Sequence, residues 1–591
     1  MIKVSDYIAK RITALGVKDI FMISGGGAMH LNDSFGKQKG LNYICNHNEQ
    51  ATAISAEGYA RVKGKMAVVN VTTGPGGINC LNGVFGQYTD SVPVLYISGQ
   101  VKFETTIYHN PKVKIRQIGD QEADIVSIVK PIVKYAKIVK NAYDIGKVLD
   151  EAIYHANIGR KGPVWIDVPM NIQGAMIDEK KLKRFVLPKA KKEDYKISQV
   201  ISALKKAKRP IVVAGNGINV SGARAELKKF LTKFNLPVLT TFNGLDIIED
   251  ANKNYIGRIG TVGQRAGNFA LQNADVILFL GTRNNIRQIS YNWENFTSRA
   301  KTKIAVDIDG AELNKHTLKL DVKIQADALK FLQNINKKTA VKCSNEWLKW
   351  CQVRKIKYDP SKVYPTGTKN KLNAYYFVSR LTEHMKDKDV MVAANASACV
   401  CAFQNAKIKK QQRVFWNSGN ASMGYCLPAV IGAGFANNKK PVVCLAGEGS
   451  LMMNLQELHT IKHHNLPVKI FILNNNGYIS IIQTQDNFFK GRMTACTTKS
   501  GISFPNFEKI AKGFELDYLK INDPKKMDAQ IKKALAFKKP IVCEVVLEKD
   551  YIFTPKTSSK KLPNGKMISA PLEDMYPFLS RKEFDQNMIK D

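Results

Sequence analysis

The stretch that decides the fold is GEGSLMMNLQELHTIKHHNLPVKIFILNNNGY, residues 447–478. It follows the apolar run PVVCLA and reads as strand end, tight turn, helix over about 454–464, strand VKIFILN, and an asparagine cluster. Doubly wound sheets bind ligands at the C-terminal ends of their strands. Gly447 and Gly449 let the backbone come close to a ligand there, and with Ser450 they leave N–H groups free for phosphate oxygens. Right-handed strand–helix–strand geometry returns Asn475 to the sheet edge that carries Glu448. A carboxylate, an amide oxygen from Asn475 and a backbone carbonyl at Gly477 form a hard-oxygen set. Such a set suits Mg²⁺ or Ca²⁺ bridging to phosphate.

Working outward, the same alternation of helices with short, nearly all-apolar strands recurs throughout the 591 residues. The strands include MAVVNVT (66–72), PVWIDVP (163–169), DVILFLG (275–281) and KIAVDID (303–309). This pattern predicts parallel sheets covered on both faces. The fold class is therefore α/β, with three doubly wound parallel-sheet domains. Basic and polar linkers near 180–196 and 357–371 separate domains at 1–178, 197–335 and 370–550, with a C-terminal tail at 551–591. The tail is expected to lie across a surface or over a site mouth.

The composition, 44% apolar and 24% charged, is that of a globular chain. No segment reaches the ~20 apolar residues of a membrane span, and the amphipathic N-terminus is not a signal peptide. The ten scattered cysteines suggest reduced thiols and a cytoplasmic setting. The net charge of +39 comes from lysines spread along the chain rather than clustered with aromatics, so no nucleic-acid partner is expected.

The 447–478 stretch resembles the thiamine-diphosphate binding motif, which runs from GDG to NN. The chain as a whole resembles the acetolactate-synthase-like thiamine-diphosphate enzymes over about residues 1–550. The resemblance implies pyrimidine-binding, central flavin-domain-like and diphosphate-binding domains, in that order. It implies Mg²⁺ on Glu448, Asn475 and Gly477, with Tyr478 beside them. Glu448 stands where the family has Asp, which keeps the charge and lengthens the reach.

Within CNHNEQATAISAEGYAR (45–61), Glu49 matches the glutamate that contacts the aminopyrimidine ring and starts deprotonation of the thiazolium carbon. The family's preceding histidine is Asn48 here. The glutamate and the metal motif of one site come from different subunits in this family, so a homodimer or homotetramer is implied. SGNASMGYCLPAVIGAG (418–434) resembles the segment that bends the cofactor: Ala421 would offer a carbonyl and Met423 an N–H and a side-chain wedge. TTGPGGIN (72–79) and MISGGGAMH (22–30) resemble the turns near the pyrimidine and the reacting carbon, with Gly25 and Gly26 at the close approach.

On the substrate side, Gln121 matches a glutamine brought to the thiazolium. Asp120 replaces the usual phenylalanine, Thr484 a tryptophan that packs on the acceptor, and Arg287 matches an arginine that recognises the acceptor carboxylate. Gly215, Gly217, Arg283 and Asp307 fall where FAD contacts would be, and a central domain without flavin fits equally. The expected function is a carboligase that decarboxylates a 2-keto acid, with pyruvate as the donor, and transfers the acyl anion to a second carbonyl. Alternatives are transfer to a keto-sugar nucleotide, simple keto-acid decarboxylation, and an inactive cofactor-binding relative.

Overall fold

The computed structural model describes residues 1–189, 193–368, 370–561, 563–565 and 567–590. Parts of the two linkers and of the tail (190–192, 369, 562, 566 and 591) therefore lie outside the described residues. Three six-stranded sheets are present, each wholly parallel, and helices flank them. The prediction of three doubly wound α/β units holds.

Each sheet has an inner reversal of strand order, and that reversal fixes where ligand-facing turns fall; the first and third sheets turn back once more at their edge strands. In the first sheet the inner reversal lies between the strands Asp19–Met22 and Ala67–Val71. In the central sheet it lies between Pro210–Ala214 and Val276–Leu280. In the third it lies between Val390–Ala393 and Val442–Gly447. At such a point the flanking helices leave in opposite directions and open a crevice beyond the strand ends. The GGG turn after Met22, the TTGP turn after Val71, Gly215, Gly281 and Gly447 all sit at these crevices.

The inner strands are almost wholly buried, as their Val/Ile/Leu-rich runs require, while edge strands such as Asn42–Cys45 and Asp517–Ile521 are partly exposed. The first and third sheets share one apolar core. Helix Glu49–Lys63 lies directly on helix Cys426–Ala436 there. Only glycine allows this contact. A Cβ on Gly58 would fall 2.0 Å from the Ala429 carbonyl oxygen, and one on Gly432 1.7 Å from that of Ser55. The Ser55 hydroxyl also donates to the Pro428 carbonyl at 2.9 Å.

The structure departs from the sequence reading in one element of the deciding stretch. Instead of a helix over 454–464 there are two short ones, Glu448–Met452 and Glu457–His463. Asn454 causes the break by giving its side-chain amide to the Gly424 carbonyl (2.9 Å). The second helix then buries Glu457, which accepts from the His47 amide (2.9 Å) and the Asn46 side chain (2.8 Å).

The tail packs on the central domain. Asn268 and Asn273 of helix Arg265–Asn273 donate to the carbonyls of Leu572 and Asn587 at 2.9 Å each. Leu572 and Met575 are buried. All ten cysteines are free. Among the described residues no helix is long and apolar enough to cross a membrane.

Candidate active site

Glu448 opens the helix after strand Val442–Gly447, and the neighbouring parallel strand Val468–Asn474 delivers Asn475 beside it. One carboxylate oxygen of Glu448, Oε1, accepts the amides of Asn475 (3.1 Å) and Gly477 (3.0 Å). Asn476 is bent into the left-handed region (φ 54°), which turns the Gly477 amide back toward that oxygen. Glu448 is 2% exposed, and burial pushes its carboxyl up to about 7 against the lowering effect of these amides. A buried acid without a cation partner is costly.

Asn475 Oδ1 is buried as well and has no hydrogen-bond partner. A buried acid and an unpartnered amide oxygen at one point suit a cation. Both are hard oxygen donors, so the residues present fit Mg²⁺. Among the described residues no group of three or more His, Cys, Asp or Glu could hold a metal. A site here depends on amide and carbonyl oxygens around one carboxylate.

The predicted cofactor residues of the third domain come together around this pair. A Cβ on Gly449 would lie 2.3 Å from the Tyr478 ring and 3.2 Å from Met423 Cε, so Gly449, Tyr478 and Met423 are mutual neighbours. Ser450 Oγ accepts the Gly424 amide at 2.9 Å, tying the Met423 segment to the Glu448 turn. Ala421 is left-handed (φ 54°).

A buried network that sequence reasoning missed sets that segment's shape. Arg61 pairs with Glu57 (2.9 Å) and Asp90 (2.7 Å), and Asp90 accepts the amides of Ser418 (2.9 Å) and Gly419 (3.0 Å). Tyr425 (3.0 Å) and the Asn417 side-chain amide (3.2 Å) both donate to Glu57. The i, i+4 spacing of Glu57 and Arg61 on the Glu49 helix was its one visible signal.

The first domain gathers a second group. Glu49 is the first residue of its helix, Asn48 caps it by accepting the Gln50 amide (2.7 Å), and Glu49 accepts from Asn79 at 3.0 Å. A Cβ on Gly25 would strike Thr72 at 2.5 Å, whereas Gly26 faces open space. The loop carrying Gln121 folds around buried Glu122, which accepts the amides of Ile107, Ile118 and Gly119. Gln121 is left-handed (φ 61°), and its carbonyl presses on Gly74. Gly25, Gly74 and Gln121 thus share one sheet edge. Asp120 and Gln121 are exposed. Among the described residues no hydrogen bond or ion pair joins Glu49 or Gln121 to Glu448, Asn475 or Met423.

The three family models for thiamine pyrophosphate enzymes match this chain. The N-terminal TPP binding domain covers 2–124, the central domain 197–335 and the C-terminal TPP binding domain 396–545. The chain belongs to the thiamine pyrophosphate enzyme family. It is 30% identical over 558 residues to the acetolactate synthase large subunit of Lactococcus lactis, covering 92% of each chain. It is 30% identical over 567 residues to acetolactate synthase 1, chloroplastic, of Oryza sativa, covering 92% of this chain and 84% of that one. Against the acetolactate synthase isozyme 3 large subunit of Escherichia coli it is 28% identical over 546 residues. It is thus a thiamine-diphosphate-dependent, acetolactate-synthase-like enzyme.

In this thiamine pyrophosphate enzyme the central domain bears a cleft of about 460 Å³ at its sheet reversal. Gly217, Arg283 and Asp307 line it, while Gly215 packs behind it against Gly281 and Thr282. Arg283 donates to the Thr89 carbonyl at 2.8 Å, and burial pushes Asp307 up to about 6. The remaining substrate candidates lie on other elements. Arg287 lies with its guanidinium 4.8 Å from the Phe242 ring centre. Thr484 is exposed on helix Ile479–Phe489 and bonds the Ser480 carbonyl (2.8 Å).

Proposed function

We propose that the chain is a Mg²⁺-dependent carboligase that decarboxylates pyruvate and transfers the two-carbon acyl unit to a second carbonyl. The observation that carries this reading is the buried pair of Glu448 and the partnerless Asn475 Oδ1. Glu448, Asn475 and the Gly477 carbonyl would hold Mg²⁺, and Gly447, Gly449 and Ser450 would face the diphosphate. Met423 would support the bent cofactor from its place against Gly449, with the Ala421 carbonyl toward the aminopyrimidine.

Thiamine diphosphate, when bound, supplies the carbon nucleophile and takes up the electron pair released with CO₂. Glu49 would hold a proton at a ring nitrogen from a carboxylate oriented by Asn79. Gln121, in its strained turn above Gly74, would position the acceptor carbonyl, and Gly25 and Gly26 would line the approach to the reacting carbon.

The working assembly is a homodimer or homotetramer. Phe85 and Tyr88 in the first domain, and Ile481, Phe488 and Phe489 beside the metal pair, are 40–51% exposed, as surfaces awaiting a second copy would be. The cleft lined by Gly217, Arg283 and Asp307, with Gly215 packed behind it, would take FAD. A bound flavin would absorb near 450 nm in the purified protein.

Asp120 and Thr484 support a second reading. Both are polar and exposed where the acceptor would dock, which favours a hydroxylated acceptor such as a keto-sugar nucleotide, with Arg287 toward its anionic part. CO₂ release from pyruvate with thiamine diphosphate and Mg²⁺, followed by mass spectrometry of the products, tests both. Acetolactate supports the first reading. CO₂ with little acetolactate, and a new product on adding keto-sugar nucleotides, supports the second. No CO₂ from pyruvate refutes pyruvate as donor.

A further inference from the structure

Tyr551 lies in the segment beyond the matched region, which ends at 545. Its side chain is 7% exposed, and its hydroxyl is buried with no hydrogen-bond partner. Buried phenols normally find one. The residue is firmly placed. Its carbonyl accepts from Gln483 Nε2 at 3.0 Å, and Gln483 Oε1 accepts the Phe553 amide at 3.2 Å. Its ring meets those of Tyr375 and Phe553 edge-on at 6.3 and 6.0 Å.

The hydroxyl interacts with the side chains of Ser397 and Asn475, neither of which meets it in full hydrogen-bond geometry, and lies within electrostatic reach of Glu448. Ser397 is buried and begins helix Ser397–Asn405, directly after the strand that borders Glu448's strand at the sheet reversal. The residue before it, Ala396, is left-handed (φ 53°) and gives no side-chain cap, so the first amides of that helix lack the partner a capping side chain would supply. An uncapped helix N-terminus, a partnerless amide oxygen and a partnerless hydroxyl therefore converge beside Glu448. A neutral phenol at that point is an O–H donor. Amide donors and a phenol donor beside a cation site complement phosphate oxygens.

We propose that Tyr551 donates a hydrogen bond to a phosphate oxygen of the bound diphosphate, so that the C-terminal segment completes the cofactor cradle. This rests on the functional reading above. The test is Tyr551→Phe in the full-length chain, which removes one oxygen and keeps the ring packing. Calorimetric titrations at fixed Mg²⁺ would use thiamine diphosphate, inorganic pyrophosphate and unphosphorylated thiamine as probes. The expected result is an unchanged melting temperature, roughly tenfold weaker binding of both diphosphates, and no change for thiamine. Wild-type affinity of the variant for both diphosphates overturns the inference. So does an equal loss for thiamine, which would mark a purely structural role. If the wild-type chain itself binds no thiamine diphosphate with Mg²⁺, the functional reading fails first and this inference with it.

Discussion

Glu448 Oε1 and the Asn475 amide meet at 3.1 Å across 27 positions of sequence. The bond locks the C-terminal ends of two adjacent parallel strands together and holds an acid in a buried place. That place gives an ion-free carboxylate little reward.

Glu448→Ala should therefore separate stability from binding. Removing the acid relieves its desolvation but leaves the buried amides of Asn475 and Gly477 without their acceptor, so the two effects are expected to offset and the cofactor-free protein to lose no more than about 1–3 kcal/mol. The same change should abolish Mg²⁺-dependent thiamine-diphosphate binding, weakening it by about 100-fold or more. Thermal melts with and without Mg²⁺ and thiamine diphosphate check both. A variant that keeps the wild-type ligand-induced rise in melting temperature would rule out Glu448 as a metal ligand.

Glu49→Gln preserves shape and the contact with Asn79 while removing the charge. Exchange of the thiazolium C2 proton with deuterium, followed by NMR, should slow by roughly 10²–10⁴-fold. Cofactor affinity should change little. Unaltered exchange would remove Glu49 from proton handling.

Arg61→Ala strips a buried network of its cation and leaves Glu57 and Asp90 facing each other. Breaking such a pair costs about 3–5 kcal/mol, which urea unfolding would register. Because Asp90 also holds the amides of Ser418 and Gly419, protease sensitivity around 417–424 should rise. A loss under about 1 kcal/mol would contradict the assigned burial.

Asp167, behind the loop that carries Gln121, gives a pH test separate from the Glu448–Asn475 pair. Full burial pushes its carboxyl up to about 7, although Ser98 (2.6 Å) and Gln100 (3.0 Å) donate to it. The unfolded chain releases this proton near pH 4 and the folded chain holds it to about 7. Between those values the native state binds more protons, so this group's contribution to stability falls as pH rises. Stability of wild type relative to Asp167→Asn should therefore decline from pH 5 to pH 7.5. A difference that stays flat would refute the shift.

Much of this was legible in the sequence because parallel strands leave an unambiguous signature. Val276–Leu280 and Val468–Asn474 read as strands since only a doubly covered sheet tolerates such apolar runs. Glu448 and Asn475 were legible for a related reason: the spacing of one strand–helix–strand unit fixes which residues return to the same edge. Ser397 was findable in principle, because AANASACV (393–400) ends a strand before a helix. It carries no glycine or charge to draw notice. Tyr551 was not legible, since its neighbours Tyr375, Gln483 and Ser397 lie at 176, 68 and 154 positions' remove in a chain that crosses the sheet between them.

By itself, then, the sequence determined the local and periodic features: which segments are strands, where the turns fall, and that an acid and an asparagine share a strand edge. These follow from period, burial and right-handed crossover, all of which act over short stretches. The tertiary structure alone decided what surrounds them: the contacts of Gly58 with Ala429 and of Gly432 with Ser55 that press two domains together, the Arg61 network that shapes the Met423 segment, and the approach of Tyr551 to Asn475. Those depend on side chains from distant elements competing for the same volume and the same hydrogen-bond partners, and no local pattern encodes that competition.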